Sequence, residues 1–274
     1  MDVDGLTPDA VVGTLNDAIE RHRSLIAGPR QGSEAYRAGR TSLGRHSWDL
    51  SCTRLTIGLD HVSASIEMAR LEGRTRPFMH FTLLRTAFEG AVLARWVCKP
   101  GLTPMIRLRR GAGAQWEDLE ERRKFEEIRN RRPKPATYRR QKLPRVRARM
   151  RQQQLDAALA RRGAGDRIVP PPITALFEEF ALVRGGGEWI YRVLGAAAHT
   201  QQWAALSLGV PSILPGTEKG SRQSPHRALV AGSDEGVFMA TALAVLAVRS
   251  AIADVERYGG LVTADTHAGE QTHP

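Results

Sequence analysis

Residues 48–66 read WDLSCTRLTIGLDHVSASI, and the fold class follows from where their apolar side chains fall. Trp48, Cys52, Leu55, Leu59, Val62 and Ile66 are separated alternately by four and three residues. At 3.6 residues per turn that spacing draws one stripe along a helix, and such a stripe needs a second helix to cover it. The chain supplies one at once. From Pro77 to about Cys98, Phe78, Phe81, Leu84, Phe88, Val92 and Trp96 keep helical spacing. Gly73 ends the first helix and Pro100-Gly101 stops the second. The spacing predicts two helices joined by a short turn and packed as an antiparallel hairpin.

Working outward, Thr7-Pro8-Asp9 reads as a cap and first turn for a helix running to about Ile26, before Gly28-Pro29. Arg30 to Gly44, rich in Gly, Ser and Arg, reads as a connection. Downstream, Met105 to Arg132 mixes charge signs at i,i+4 spacing, which suits an exposed helix, and Pro133 and Pro135 interrupt it. A polar helix follows from about Pro144 to Arg161, with Met150, Leu155 and Leu159 as its main apolar residues and Gly163 as its stop. Pro170-Pro-Pro opens a helix to about Val183. Gly185-Gly-Gly breaks it, and another runs from Glu188 to about Leu208. Gly209 to Gly232 carries Pro211, Pro215, Gly216, Gly220 and Pro225, which is loop chemistry. The last helix opens at Ser233-Asp234-Glu235 and ends at Gly259-Gly260.

No segment shows strand alternation, so the expected fold is all-α. It is a helical bundle formed by 1–104 and 169–260, with 105–168 as an exposed basic helical arm or insertion and 261–274 as a flexible tail.

The 274 residues are enough for a substantial core. The two cysteines, Cys52 and Cys98, have no paired spacing, so neither a disulfide framework nor a four-ligand zinc site is expected. The acidic start has no basic-then-apolar leader, and the apolar run Val237 to Val248 is too short to span a bilayer. Both point to a cytoplasmic protein with no membrane span.

The net charge is +11, carried by 35 arginines and only 5 lysines. GC-rich coding favours that ratio, so location says more than abundance. Between Arg107 and Arg151 there are 17 basic and 6 acidic residues. That surplus equals the whole chain's net charge. Arg107, Arg109, Arg110, Arg139, Arg140, Arg145, Arg147 and Arg149 are therefore candidates to track a phosphate backbone, with RNA or another polyanion as partner. Aromatic interleaving is thin, with Tyr138 the one aromatic among these clusters, which argues against base stacking. The competing reading is a solvated face.

Signatures for dinucleotide binding, phosphate loops, zincins, serine hydrolases and EF-hands are absent from the sequence. No metal ligands or cofactor site are predicted. One constellation remains, in Tyr191-Arg-Val-Leu-Gly-Ala-Ala-Ala-His199. Arg192 and His199 lie nearly two turns apart and share a helix face, with Gly195 and Ala196 as a small-residue floor between them. An arginine to hold a phosphate and a histidine to move a proton make a metal-independent route to RNA cleavage. Arg85 and Glu89, at i,i+4 beside an apolar stripe, read as an ion pair within the helix, or as support for this site, with Glu89 orienting His199 or Arg85 adding to its anion site.

The Arg192-x6-His199 segment resembles the HEPN superfamily, helical bundles with an Arg-x(4–6)-His signature. That resemblance implies an endoribonuclease of toxin or defence type, with two motifs meeting across a homodimer. Val193 departs from the polar residue that often follows the family's arginine. Arg40/His46, Arg54/His61 and Arg74/His80 match the same spacing, and Arg54/His61 is also on a helix. The pairing of Arg85/Glu89 with Tyr191 and Arg192 is similar to helices of uncharacterised actinobacterial proteins, which implies no chemistry. The alternative to the HEPN-like reading is a non-enzymatic helical binding or scaffold protein.

Overall fold

The first helix begins as its sequence predicts. The Thr7 hydroxyl accepts the Ala10 N–H at 3.3 Å and the Thr7 carbonyl accepts the Val11 N–H. Pro8, with no N–H to leave unpaired, opens α1 (Pro8–Ile26). The computed structural model describes residues 6–73, 75–129, 138–180, 187–198, 209–213, 228–232 and 234–261. The elements after α1 are α2 (Glu34–Gly39), α3 (Ser42–Glu72), α4 (Pro77–Cys98), α5 (Pro104–Arg129) and α6 (Tyr138–Arg161). They are followed by α7 (Ile173–Phe180), α8 (Gly187–Ala198), β1 (Gly209–Ile213), β2 (Ala228–Gly232) and α9 (Asp234–Gly259). The fold is all-α with one short two-stranded ladder.

The predicted α3–α4 hairpin is present, and three contacts fix its direction. A Cβ built on Gly90 falls 2.7 Å from the Arg54 carbonyl oxygen, one on Gly58 lies 3.4 Å from that of Ala87, and Ser65 Oγ stands 2.8 Å from His80 Nδ1. Ascending one helix means descending the other, so they are antiparallel. A methyl at Gly90 would overlap the α3 backbone, and this glycine is what lets the two helices approach so closely.

Three expectations need correction. Arg30 to Gly44 is not an open connection: it holds α2, whose N-cap Ser33 accepts the Tyr36 N–H at 3.1 Å. Six residues with a single buried side chain, Ala35, give no stripe to read. Gly209 to Gly232 is not all loop either. Gly209 pairs with Gly232 and Ile213 with Ala228 in an antiparallel ladder. A five-residue strand holding Pro211 shows no alternation of its own, and its partner is too distant in sequence for a local reading. Finally, α6 starts at Tyr138, which places Pro144 inside the helix, where it removes one intrahelical hydrogen bond.

The chain forms two compact units. The first comprises Met1–Arg23, Arg54–Val92 and Pro172–Ile252. Its core includes Leu55, Leu59 and Val62 of α3, Leu84 and Phe88 of α4, Leu176 and Phe177 of α7, Leu194 of α8 and Val245 and Val248 of α9. The second comprises Ser24–Thr53, Leu93–Pro171 and Ala253–Pro274. In it α5 and α6 form a hairpin whose seam buries Leu108, Ala112, Leu119, Ala148, Leu155, Leu159 and Ala164 together with Leu43. Among the described residues of the basic segment, α5 and α6 expose their outer faces while their seam is core. Leu155 and Leu159 are buried in it, whereas Met150 is 51% exposed.

The chain then returns from α6 along α5. Gly163, in the left-handed region at φ 60°, closes α6 with Ala164 N–H on the Leu159 carbonyl. Arg109 Nε donates to the Asp166 carbonyl, and Ile168 N–H donates to the Arg109 carbonyl.

Among the described residues, α9 alone is long and apolar enough to cross a membrane by composition, with 61% of its most apolar window buried inside the protein. The apolar run Val237 to Val248 is thus part of a 26-residue helix.

Candidate functional site

The first constellation lies where α4, α7 and α8 meet in the first unit. Arg85 Nε donates to Glu89 Oε1 at 2.8 Å, and Arg85 Nη2 donates to the Tyr191 hydroxyl at 3.0 Å. Tyr191 stacks edge-on against Phe177, centroids 5.0 Å apart, and Phe177 packs on Phe88 at 5.6 Å. The guanidinium is thus anchored on two helices. Burial alone would lower the Arg85 pKa; the hydrogen bond and charge of Glu89, with the Tyr191 hydroxyl, outweigh it and hold the group above its ordinary value. Arg85 is a fixed cation, and the structure brings Arg85, Glu89 and Tyr191 together as the sequence suggested.

Gly195 is buried, and a Cβ there would lie 3.5 Å from Arg85 Nη1, so the small-residue floor of α8 faces the Arg85 guanidinium of α4. Val193, Leu194 and Ala196 are also buried, and Arg192 is exposed. His199 lies outside the described residues.

Two histidines of the other Arg/His pairs have contacts of their own. His61 Nδ1 stands 2.8 Å from the Ile57 carbonyl one turn earlier. His80 is fully buried and shares its Nδ1 with Ser65, and burial lowers its pKa. Its Nε2 has no hydrogen-bond partner among the described residues. A neutral ring is the form this pocket tolerates. Arg74 is outside the described residues.

The basic segment divides sharply by helix. On α5, Arg107 is buried, pairs with Glu34, donates to the Lys99 carbonyl at 3.2 Å and lies over the Tyr258 ring at 4.6 Å. Arg110 donates to the Trp96 carbonyl at 2.6 Å and covers that residue's ring, while Arg109 holds the Asp166 carbonyl. These three arginines organise the protein's own backbone. Further along α5, Arg123 binds Glu120 and Glu127, and Lys124 binds Glu121. The Arg123 hydrogen bond, with help from Gln152, holds the Glu120 carboxyl down to about 2. On α6, by contrast, Arg147, Arg149 and Arg151 are exposed and form no ion pair among the described residues. Arg139, Arg140 and Arg145 belong to α6, and their side chains lie outside what is described.

A cleft of about 320 Å³ in the second unit went unread in the sequence. It is lined by Leu43 and His46 of α3, Gln115 and Leu119 of α5, and Arg151, Gln154, Leu155 and Ala158 of α6. Each helix contributes a stripe at three- or four-residue spacing. That spacing is present in the sequence, but which helices share a cleft is not.

Neither cysteine is a nucleophile in this setting. Burial, first of all, pushes both thiols up to about 12, and Cys98 Sγ lies 3.3 Å from Ser51 Oγ. Among the described residues no group of His, Cys, Asp and Glu is arranged to hold a metal ion. Comparison with protein-family models, curated proteins and solved structures returns no match. What the molecule itself defines is an all-α protein with a basic helical hairpin and an amphipathic cleft beside it.

Proposed function

We propose that the protein binds RNA along the solvent-exposed surface of α6, where Arg147 and Arg151 share one flank and Arg149 stands on the other, in a binding rather than a catalytic role. The observation that carries this reading is the contrast between the two helices of the hairpin. Arg107, Arg109, Arg110, Arg123 and Lys124 of α5 are held by carbonyls and carboxylates of the protein, with Arg122 exposed, whereas Arg147, Arg149 and Arg151 of α6 all face solvent with no carboxylate partner among the described residues. Cations held on a rigid helix and not neutralised from within are what a phosphate backbone displaces counterions to reach. Support for RNA in particular comes from the HEPN-like segment at Arg192.

The test is the salt dependence of binding to a labelled single-stranded RNA, with duplex DNA and heparin as competitors. The reading predicts RNA binding that weakens steeply as salt rises, with a log–log slope of about −2 or steeper for three phosphate contacts. No binding at low salt would end it. Incubation with total RNA in EDTA, beside a His199→Ala variant, separates the roles. Intact RNA with both proteins supports binding alone, and cleavage lost in the variant restores the nuclease reading.

A further inference from the structure

We infer that the cleft between α3, α5 and α6 is a nucleotide site, taking the 5′-phosphate on Arg151 and the base on its apolar floor. Three observations carry this. The first is the division of the lining. Leu43, Leu119, Leu155 and Ala158 form a greasy surface, while Gln115, Gln154, His46 and Arg151 supply the polar groups. A ligand matching both must have a flat or apolar body with a polar edge and an anionic end. Two carboxamides, each with one acceptor and two donors, suit the edge of a nucleobase. Arg151 suits a phosphate, because its planar fork meets two oxygens at once.

The second is the geometry of support. Leu43 and His46 are three residues apart on α3, Gln115 and Leu119 are four apart on α5, and Arg151, Gln154, Leu155 and Ala158 span two turns of α6. Every lining group therefore projects from a helix, and the Leu43, Leu119 and Leu155 floor belongs to the buried seam of the hairpin. Such a site is preorganised. Its volume of about 320 Å³ lies at the small end of ligand pockets, which run from roughly 300 to 1,000 Å³.

The third is the charge around His46. Burial lowers its pKa; Asp49 on its own helix opposes this, while Arg151 on α6 and Arg45 on α3 add to it. Burial is the main reason the imidazole stays neutral, and Arg151 adds to it; a phosphate bound to Arg151 would cancel that added part. A dianion there should therefore raise the His46 pKa, which makes the ring a reporter of occupancy.

The same chemistry is offered by a free nucleoside monophosphate and by the 5′ end of an RNA strand. The site does not depend on the α6 reading, since a free nucleotide would bind even if RNA did not. The experiment uses the full chain, calorimetry and NMR of the His46 ring, with adenosine 5′-monophosphate, adenosine, inorganic phosphate and a 5′-phosphorylated trinucleotide as probes. The inference expects saturable 1:1 binding of the monophosphate, with an upward shift of the His46 titration. Arg151→Ala should weaken it about tenfold or more, and Ala158→Trp, which fills the cleft, should abolish it while the melting temperature stays within a few degrees. Tighter binding of the trinucleotide assigns the site to strand ends, and equal binding assigns it to free nucleotides; each supports the site. Adenosine or phosphate binding as well as the monophosphate overturns it. So does the absence of saturable binding at millimolar nucleotide, or affinity unchanged in both folded variants.

Discussion

The Arg85 guanidinium lies against Gly195 of α8, with Nη1 3.5 Å from where a side chain would begin. That contact joins α8 to the network that Arg85 forms with Glu89 and Tyr191, and it leaves space for a methyl at 195 but not for a larger side chain. Gly195→Ala should therefore be neutral or stabilising by up to about 1 kcal/mol, since a methyl at that distance is an ordinary contact and alanine is the better helix former. Gly195→Leu should displace Arg85 and destabilise by about 1–3 kcal/mol through overpacking. Chemical denaturation of the two variants checks the pair.

His80 makes stability depend on pH. Its ring is fully buried, Nε2 has no hydrogen-bond partner among the described residues, and burial depresses its pKa below the ordinary histidine value. The folded protein thus binds the proton less readily than the unfolded chain. Stability conferred by the neutral ring is complete above about pH 6.5 and is lost as pH falls from there toward the depressed native value. His46 acts in the same direction. Urea midpoints between pH 7.5 and 5 should fall, and His80→Gln should flatten part of that fall.

The seam of the α5–α6 hairpin can be told from its surface by truncation. Leu159, 2% exposed, should cost about 2–5 kcal/mol as Leu159→Ala, the range for a buried leucine that leaves a cavity. Met150→Ala on the same helix, half-exposed, should change stability by about 0.5 kcal/mol or less. Equal effects would mean that the hairpin does not pack as described.

Much of the fold was legible because it rests on helical periodicity. The stripe from Trp48 to Ile66, the run from Phe78 to Trp96 and the stops at Gly73, Pro100 and Gly259-Gly260 each use information within about two turns of chain. The C-terminal ends of α3, α4 and α9 fall where those residues place them, whereas α3 starts at Ser42, inside the stretch read as a connection. What escaped was either too short for periodicity, as in α2 and the two strands, or dependent on which helices become neighbours. The same limit governed the site. Arg85 and Glu89 were found because they share a helix, and Tyr191 joined them by its place beside Arg192. That Arg107 would be buried against Glu34, 73 residues away, left no local mark, and neither did the His46–Arg151 cleft.

Arg107 is a stability residue in this structure, with Nη1 and Nη2 bonded to Glu34 and the Lys99 carbonyl and its plane over the Tyr258 ring. Arg107→Ala should lower stability by about 2–4 kcal/mol, because it leaves Glu34 without its partner in a partly buried place. Any loss of RNA binding by this variant should follow its unfolding and vanish when folded protein is compared at equal concentration.

The central claim is that α6 presents the phosphate-binding face, and charge reversal there tests it most directly. Fluorescence anisotropy with a labelled single-stranded RNA should show the Arg147→Glu, Arg149→Glu and Arg151→Glu triple variant binding at least about a hundredfold more weakly than the wild type, at an unchanged melting temperature and with a shallower salt slope. Wild-type affinity in that folded variant would contradict the account.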